Sequence, residues 1–290
     1  MMTRLGIFIL WLLHFLPLSV LARIGNALGL LLYAVAGERR SVADTNLRLC
    51  FPELPEAERR VLVKRTFQSF ARSFIERSLL WWASSERIQS YIRVEGLEHY
   101  TRAQELGPVI LLAPHFVALD VGGSWLIQNV DLVSVYSNQK NPLFHSMLLH
   151  GRSRFGNQKL YARQQGLRPV IKAMREQRPF YYLPDQDLAI KDGVFVPFFG
   201  VPAATLTTVP RLAEMTGAQV VPCISKLLPG GQGYEVRFYP AWENYPTGDA
   251  VVDTRRMNAF IEDRVREMPE QYFWLHKRFK TRPEGEEKFY

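Results

Sequence analysis

The stretch Val109-Ile110-Leu111-Leu112-Ala113-Pro114-His115-Phe116-Val117-Ala118-Leu119-Asp120-Val121-Gly122-Gly123 decides how this chain folds. Five consecutive apolar residues closed by a proline read as a short buried strand. The residues that follow have helical texture. A strand that hands directly to a helix places the junction at the carboxyl edge of a sheet, where open α/β folds bind their ligands. His115 falls at that junction and Asp120 in the first turns of the helix. Folded back, the Asp120 carboxylate is expected to meet the His115 imidazole. Such a pair is a general base with its orienter: the carboxylate fixes the tautomer and stabilises the imidazolium, and the other ring nitrogen accepts a proton. Five-residue spacings of His and Asp also arise by chance, and a histidine at a strand end often has a structural role. The position carries the argument, because the chain has 6 His in all.

The same texture recurs on both sides. Residues 132–136, 179–183 and 220–224 are further strand candidates, and 235–240 alternates as a half-buried strand does. Helical stretches lie around 116–128, 142–155, 166–177, 205–216 and 251–268. Strands alternating with helices predict an α/β fold with a largely parallel central sheet flanked by helices. Pro229-Gly230-Gly231-Gln232-Gly233 predicts a hairpin between the last two strands. No G-x-S-x-G elbow, Walker A loop, H-E-x-x-H or G-x-G-x-x-G is present.

Residues 1–37 differ from the rest. From Leu5 to Ala36 the only charge is Arg23. Roughly 20 apolar residues suffice to cross a bilayer. Pro17, Arg23 and Asn26 interrupt the run, so a kinked span, a re-entrant hairpin and a single straight helix all remain open. Ala34-Val35-Ala36 resembles a signal-peptide cleavage site. Against cleavage, the run is about twice the usual hydrophobic region of such peptides, and Arg4 is the one basic side chain before it. An uncleaved membrane helix over 1–37 is the favoured reading. Arg39, Arg40 and Arg48 follow the run, which by the positive-inside bias puts residues 38–290 in the cytoplasm. Within them, 38–92 is expected to be helical and membrane-proximal and 93–290 to form the catalytic α/β unit. The helix opened by Pro55 carries Phe67, Phe70, Phe74, Leu79, Leu80, Trp81 and Trp82 beside Arg59, Arg60, Lys64, Arg72 and Arg77. It fits either a core helix with a solvated basic face or a helix lying on a membrane surface.

The 290 residues are 47% hydrophobic and 22% charged, which excludes disordered, collagenous and coiled-coil classes. The net charge of +8 implies an anionic partner, whether nucleic acid, a membrane surface or a phosphorylated substrate. Cys50 and Cys223 are too far apart in sequence for a CxxC zinc motif, and two cysteines make no disulfide framework.

His115-x4-Asp120 after an apolar strand resembles the H-x4-D/E signature of the glycerolipid acyltransferase superfamily. The wider likeness is to its lipid A branch, the Kdo-dependent lauroyl and myristoyl acyltransferases. It runs over almost the whole chain through 113–123, NPLF at 141–144, GRSRFG at 151–156, PDQD at 184–187, VFVPFFGVPAAT at 194–205 and PEQYFWLHKRFKTRP at 269–283. The resemblance implies a glycerolipid acyltransferase-like fold. It implies acyl transfer from acyl-acyl carrier protein to a hydroxyacyl hydroxyl of the lipid A precursor, at the cytoplasmic face of a Gram-negative inner membrane. His115 would be the base and Asp120 its partner, with Arg152 and Asp185 also in the site. The acidic position holds Asp where many members have Glu. Ser137-Asn138 stand where many have Arg-Pro after the tyrosine matching Tyr136, which puts an acceptor contact from that loop in doubt.

The residues themselves fit these roles. A hydroxyl needs a base when it attacks, and a guanidinium near the helix start would stabilise the tetrahedral oxyanion. Arg152 or Arg154 is the candidate, and a surface ion pair is the alternative. Asp185 closes a strand and would orient a donor or an arginine, or shape a turn. Lys277, Arg278, Lys280 and Arg282, with His276, follow Tyr272, Phe273 and Trp274, a pattern suited to phosphate head groups beside a membrane or to a solvated face. Met147, Met174, Met215, Phe198 and Phe199 would line an acyl pocket or pack the core. No metal or cofactor is called for; acyl carrier protein enters as a co-substrate. The expected partners are that carrier, a phosphorylated glycolipid and the inner membrane, and not nucleic acid, since no RNP, helix-turn-helix or zinc pattern is present. The alternatives are another H-x4-D acyltransferase acting on a lysophospholipid or glycolipid, and a non-enzymatic basic membrane-binding protein. The FPEGT-type stretch of lysophosphatidate enzymes is absent.

Overall fold

The computed structural model describes residues 2–188 and 193–290. Its first part is helical: α1 Met2–Leu13, α2 Leu18–Val35, α3 Gly37–Cys50, α4 Glu56–Trp82 and α5 Ser85–Gln89. The apolar N-terminal run is therefore two helices, broken just before Pro17, which lacks the N–H needed to continue a helix. Arg87 donates to the carbonyls of His14 and Leu16 and so caps the break. Of the described helices, α2 is long and apolar enough to cross a membrane. One stripe of it, Leu18, Leu21, Ala22, Gly25 and Gly29, packs on α4. Gly25 and Gly29 let the two backbones touch: a β-carbon at either would overlap the α-carbon of Arg72 or Gln68. The outward faces of α1 and α2 expose Leu5, Phe8, Trp11, Leu12, Leu31 and Val35, and the break between them exposes Phe15.

Of the two readings of α4, the core helix is the one observed. Val63, Phe67, Ala71, Ile75 and Leu79 are buried. Its basic face is largely occupied as well. Arg59 pairs with Asp44, and Arg72 forms a buried ion pair with Glu76 at 2.5 Å.

The α/β part runs β1 Ile92–Glu95, α6 Leu97–Leu106, β2 Val109–Leu112, α7 Leu119–Asn129, β3 Val133–Tyr136, α8 Pro142–Ser153, β4 Lys159–Ala162, α9 Arg168–Arg175 and β5 Phe180–Tyr182. It continues with β6 Gly193–Phe198, β7 Val201–Leu206, α10 Thr208–Thr216, β8 Gln219–Leu227, β9 Tyr234–Phe238 and α11 Ala250–Glu267. Seven strands form one sheet in the order β1-β9-β8-β2-β5-β3-β4. Every neighbouring pair is parallel except the β8–β9 hairpin. This is the predicted α/β class with its mostly parallel, helix-flanked sheet. Successive side chains of a strand face opposite sides, so Ile110 and Leu112 join one core and Val109 and Leu111 the other.

Two differences stand out. Residues 201–206, assigned in part to a helix starting near 205, instead form β7, antiparallel to β6 in a separate two-stranded ribbon. Its turn, Phe199-Gly200, has positive φ at both positions, as a type I′ hairpin turn requires. The edge strands β1 and β4 lack continuous apolar runs and give no strand signal.

Candidate active site

Strands β2 and β5 are adjacent and parallel, with Leu112 opposite Tyr182. His115 and Asp185 each lie three residues further on, so the register that pairs the strands also brings these side chains together. His115 Nδ1 is 2.7 Å from Asp185 Oδ1, and the backbone N–H of His115 donates to both carboxylate oxygens at 3.0 and 3.1 Å. Asp185 is only 2% exposed. Burial pushes its carboxyl up, but the His115 charge, the His115 hydrogen bonds and one from the Tyr272 hydroxyl outweigh this and hold it below the usual range. An ionised Asp185 accepting from Nδ1–H leaves Nε2 of His115 as the proton acceptor.

Asp120 does not take that place. Its carboxylate lies between two guanidinium groups, with Arg77 of α4 at 2.7 Å and Arg152 of α8 at 3.1 Å. Burial opposes its charge, yet the two arginines hold the carboxyl far below the usual range. In the first turn of α7 it also faces the positive end of the helix dipole. Sequence reasoning missed Arg77. The signal was there: the charges Glu76 and Arg77 inside the otherwise uncharged stretch Phe74-Ile75-Glu76-Arg77-Ser78-Leu79-Leu80 must find partners when buried.

The turn carrying His115 is fastened by the C-terminal segment. Phe116 and Tyr272 form an antiparallel bridge; Val117 N–H donates to Gln271 O at 2.8 Å and Phe273 N–H to His115 O at 3.0 Å. Gln271 in turn exchanges hydrogen bonds with the backbone of Leu227 on β8. His276 accepts from Asp187 N–H at 3.2 Å, and burial together with the His115 charge pulls it down to about 4. Asp187 also receives both the N–H and the hydroxyl of Thr281. Much of the 269–283 stretch thus acts as a brace.

A cavity of about 430 Å³ opens beside this pair. His115, Asp120 and Arg152 line it, and the wall continues along one face of α7 through Gly123, Ser124 and Ile127. Leu80 and Trp81 of α4 and Leu148 of α8 complete an apolar stretch. The cavity joins a polar end, carrying a base and a guanidinium, to an apolar interior.

Other expected site residues lie elsewhere. Arg154 donates to the carbonyls of Leu80 and Ala83, capping the end of α4, and stacks over Phe155, so of the two candidates Arg152 is the one that lines the cavity, where Arg163 also lies. Arg278 is 2% exposed and donates to Ala204 O and Thr205 Oγ1; a side chain buried in this way presents no surface to head groups. Arg282 donates to Pro202 O and pairs with Glu286, and its side chain is similarly enclosed. Lys280 reaches Asp187 O, and Lys277 lies near Glu38. Met174 and Phe198 are core residues and Met215 is exposed; neither they nor Met147 and Phe199 line the cavity. Cys50 and Cys223 are buried free thiols. Ser137 lines the cavity and Asn138 beside it is exposed.

Residues 1–281 match the family described as "Bacterial lipid A biosynthesis acyltransferase". The "Lipid A biosynthesis lauroyltransferase" of Escherichia coli (strain K12) is 37% identical over 287 residues, covering 98% of this chain and 93% of that protein. The same organism's "Lipid A biosynthesis palmitoleoyltransferase" is 32% identical over 291 residues, covering 100% and 94%. Its "Lipid A biosynthesis myristoyltransferase" is 34% identical over 269 residues, covering 92% and 82%. A match spanning nearly the whole chain, joined to a mostly parallel α/β sheet with a histidine–carboxylate pair at its carboxyl edge, leads to one conclusion: this chain belongs to the bacterial lipid A biosynthesis acyltransferase family.

Proposed function

We propose that this protein moves a fatty acyl chain from acyl-acyl carrier protein to a hydroxyacyl hydroxyl of Kdo2-lipid IVA or its monoacylated product. The observation that carries this reading is the Asp185–His115 pair, with Asp185 buried and His115 on the wall of a cavity with an apolar interior. The acceptor hydroxyl gives its proton to His115 Nε2 as its oxygen attacks the thioester carbonyl. The oxyanion of the tetrahedral intermediate falls to Arg152, whose guanidinium is aligned by Asp120. Collapse breaks the C–S bond, and the imidazolium returns the proton to the departing sulfur. A positioned base of this kind contributes about 10²–10⁴-fold. Asp185 is the orienter in this scheme, and Asp120 with Arg77 positions Arg152.

The exposed apolar faces of α1 and α2 support membrane association, and the flanking arginines support a cytoplasmic catalytic side at the inner membrane. The basic surface suits an acidic carrier protein and a phosphorylated acceptor.

The test is an incubation of membranes carrying the protein with acyl carrier protein charged with chains of graded length. The acceptors are the Kdo-bearing precursor and, separately, lysophosphatidate, with products weighed by mass spectrometry. A mass gain on the precursor alone supports the reading. Transfer only to lysophosphatidate would reassign the acceptor, and no transfer to either over the whole panel would defeat it.

A further inference from the structure

We propose that Gly123 sets the length of acyl chain that the cavity accepts. This rests on the reading above, that the cavity holds the acyl chain. Two successive glycines follow Asp120 on α7, and their surroundings differ. A β-carbon at Gly122 would overlap the Ser225 hydroxyl, so that glycine is needed for α7 to seat on β8. A β-carbon at Gly123 would meet only the ring of Tyr181, at an ordinary 3.6 Å, and Gly123 lines the cavity. The space a side chain would fill at Gly123 is therefore cavity space.

The position along the wall gives that space its meaning. Asp120, Gly123, Ser124 and Ile127 fall on one face of α7 and all line the cavity. Gly123 lies about one turn beyond Asp120, and Ile127 roughly 10 Å along the axis from it. Carbons near the thioester pass beside Asp120 and Arg152; later ones cross Gly123 before reaching Ile127 and Leu132. A side chain at 123 intrudes between these regions and leaves the reacting end untouched. Ile127, at the far part of the same wall, acts in the opposite sense when shortened.

The experiment uses full-length protein in detergent or membranes and donors differing by two carbons. Gly123→Ala and Gly123→Leu are expected to move the preferred donor progressively shorter. For Gly123→Leu, kcat/KM with the longest good donor should fall at least about tenfold relative to a short one, the range one or two methylenes command in an apolar pocket. Ile127→Ala should move the preference longer. Gly123→Ala should also raise the melting temperature, because glycine inside a helix is less favourable than alanine. Retention of the wild-type preference by folded Gly123→Ala and Ile127→Ala would overturn the proposal, whatever happens to the leucine variant. A parallel measurement follows the thermal stabilisation of each variant by saturated fatty acids of graded length. If wild-type protein transfers no chain at all, the proposed reaction fails. The fatty-acid series then still decides the present proposal: a length optimum that shortens from wild type to Gly123→Ala supports it, and an unchanged optimum or absence of binding refutes it.

Discussion

His115 Nδ1 lies 2.7 Å from the Oδ1 of Asp185, seventy residues along the chain, while the nearer acidic residue in sequence, Asp120, is engaged by arginines. The two carboxylates therefore answer differently to removal. Asp185→Asn keeps the shape but can present its amide to Nδ1 and favour the wrong tautomer. Its kcat should drop about 10²–10⁴-fold with little change in KM, while the protein stays folded. His115→Ala should abolish turnover. Steady-state kinetics on membranes decides the matter, and an Asp185→Asn enzyme running at the wild-type rate would show that Asp185 is not the orienter.

Asp120→Ala leaves Arg77 and Arg152 facing each other unpaired. All three side chains are partly shielded, so a loss of roughly 1–3 kcal/mol in stability is expected, alongside loss of activity. Arg77→Ala, far from any recognised motif, should also lower activity. Arg77→Lys should rescue poorly, because a lysine cannot reproduce the guanidinium fork. The pH dependence has a definite sign. The Asp120 carboxyl is lowered in the folded protein, so its contribution is complete above about pH 4 and is lost as the carboxylate protonates at lower pH. The gap in melting temperature between wild type and Asp120→Asn should thus be constant near neutrality and narrow in acid; a gap independent of pH would contradict the clamp.

His276 supplies a separate pH window. Burial holds it near 4 rather than 6.5, so the unfolded chain gains a proton that the folded chain refuses. Stability is complete above pH 6.5 and falls progressively between there and about 4. After allowance for partial exposure the drop is about 1–2 kcal/mol. His276→Gln should flatten that part of the melting-temperature profile, and an unaltered profile would assign the decline to other groups.

The N-terminal helices permit a test that separates packing from membrane contact. Gly25→Leu or Gly29→Leu drives a side chain into the α4 backbone and should cost about 1–3 kcal/mol or more. Phe8→Glu with Leu31→Glu changes exposed positions only. That pair should leave the melting temperature in place and reduce co-sedimentation with anionic vesicles. Equal sedimentation of wild type and the double variant would remove α1 and α2 from the membrane contact.

The sequence reveals the elements that bury continuous apolar runs. Val109–Leu112 and Phe180–Tyr182 are legible as strands for that reason, and their ends place His115 and Asp185 at the carboxyl edge. That these ends adjoin is a matter of strand order, which no local pattern encodes. Spacing within one segment therefore favoured Asp120. Ile92–Glu95 and Lys159–Ala162 escaped notice because edge strands are half-exposed and carry polar residues. The basic C-terminal cluster misled for a related reason. Charge is visible in sequence, whereas the carbonyls that Arg278 and Arg282 satisfy come from a hairpin some eighty residues earlier.

The pairing of residues 271–273 with 115–117 has a consequence for synthesis. A chain emerging from the ribosome makes α1 and α2 before β2 and the His115 turn that follows it. Asp185 follows, and the backbone partners that fasten the His115 turn from the C-terminal side arrive only with residues 271–273. A nascent chain stalled before that point is expected to lack a formed site. Arrested intermediates would then be inert, and acyl transfer would begin only once residues 271–273 have been made.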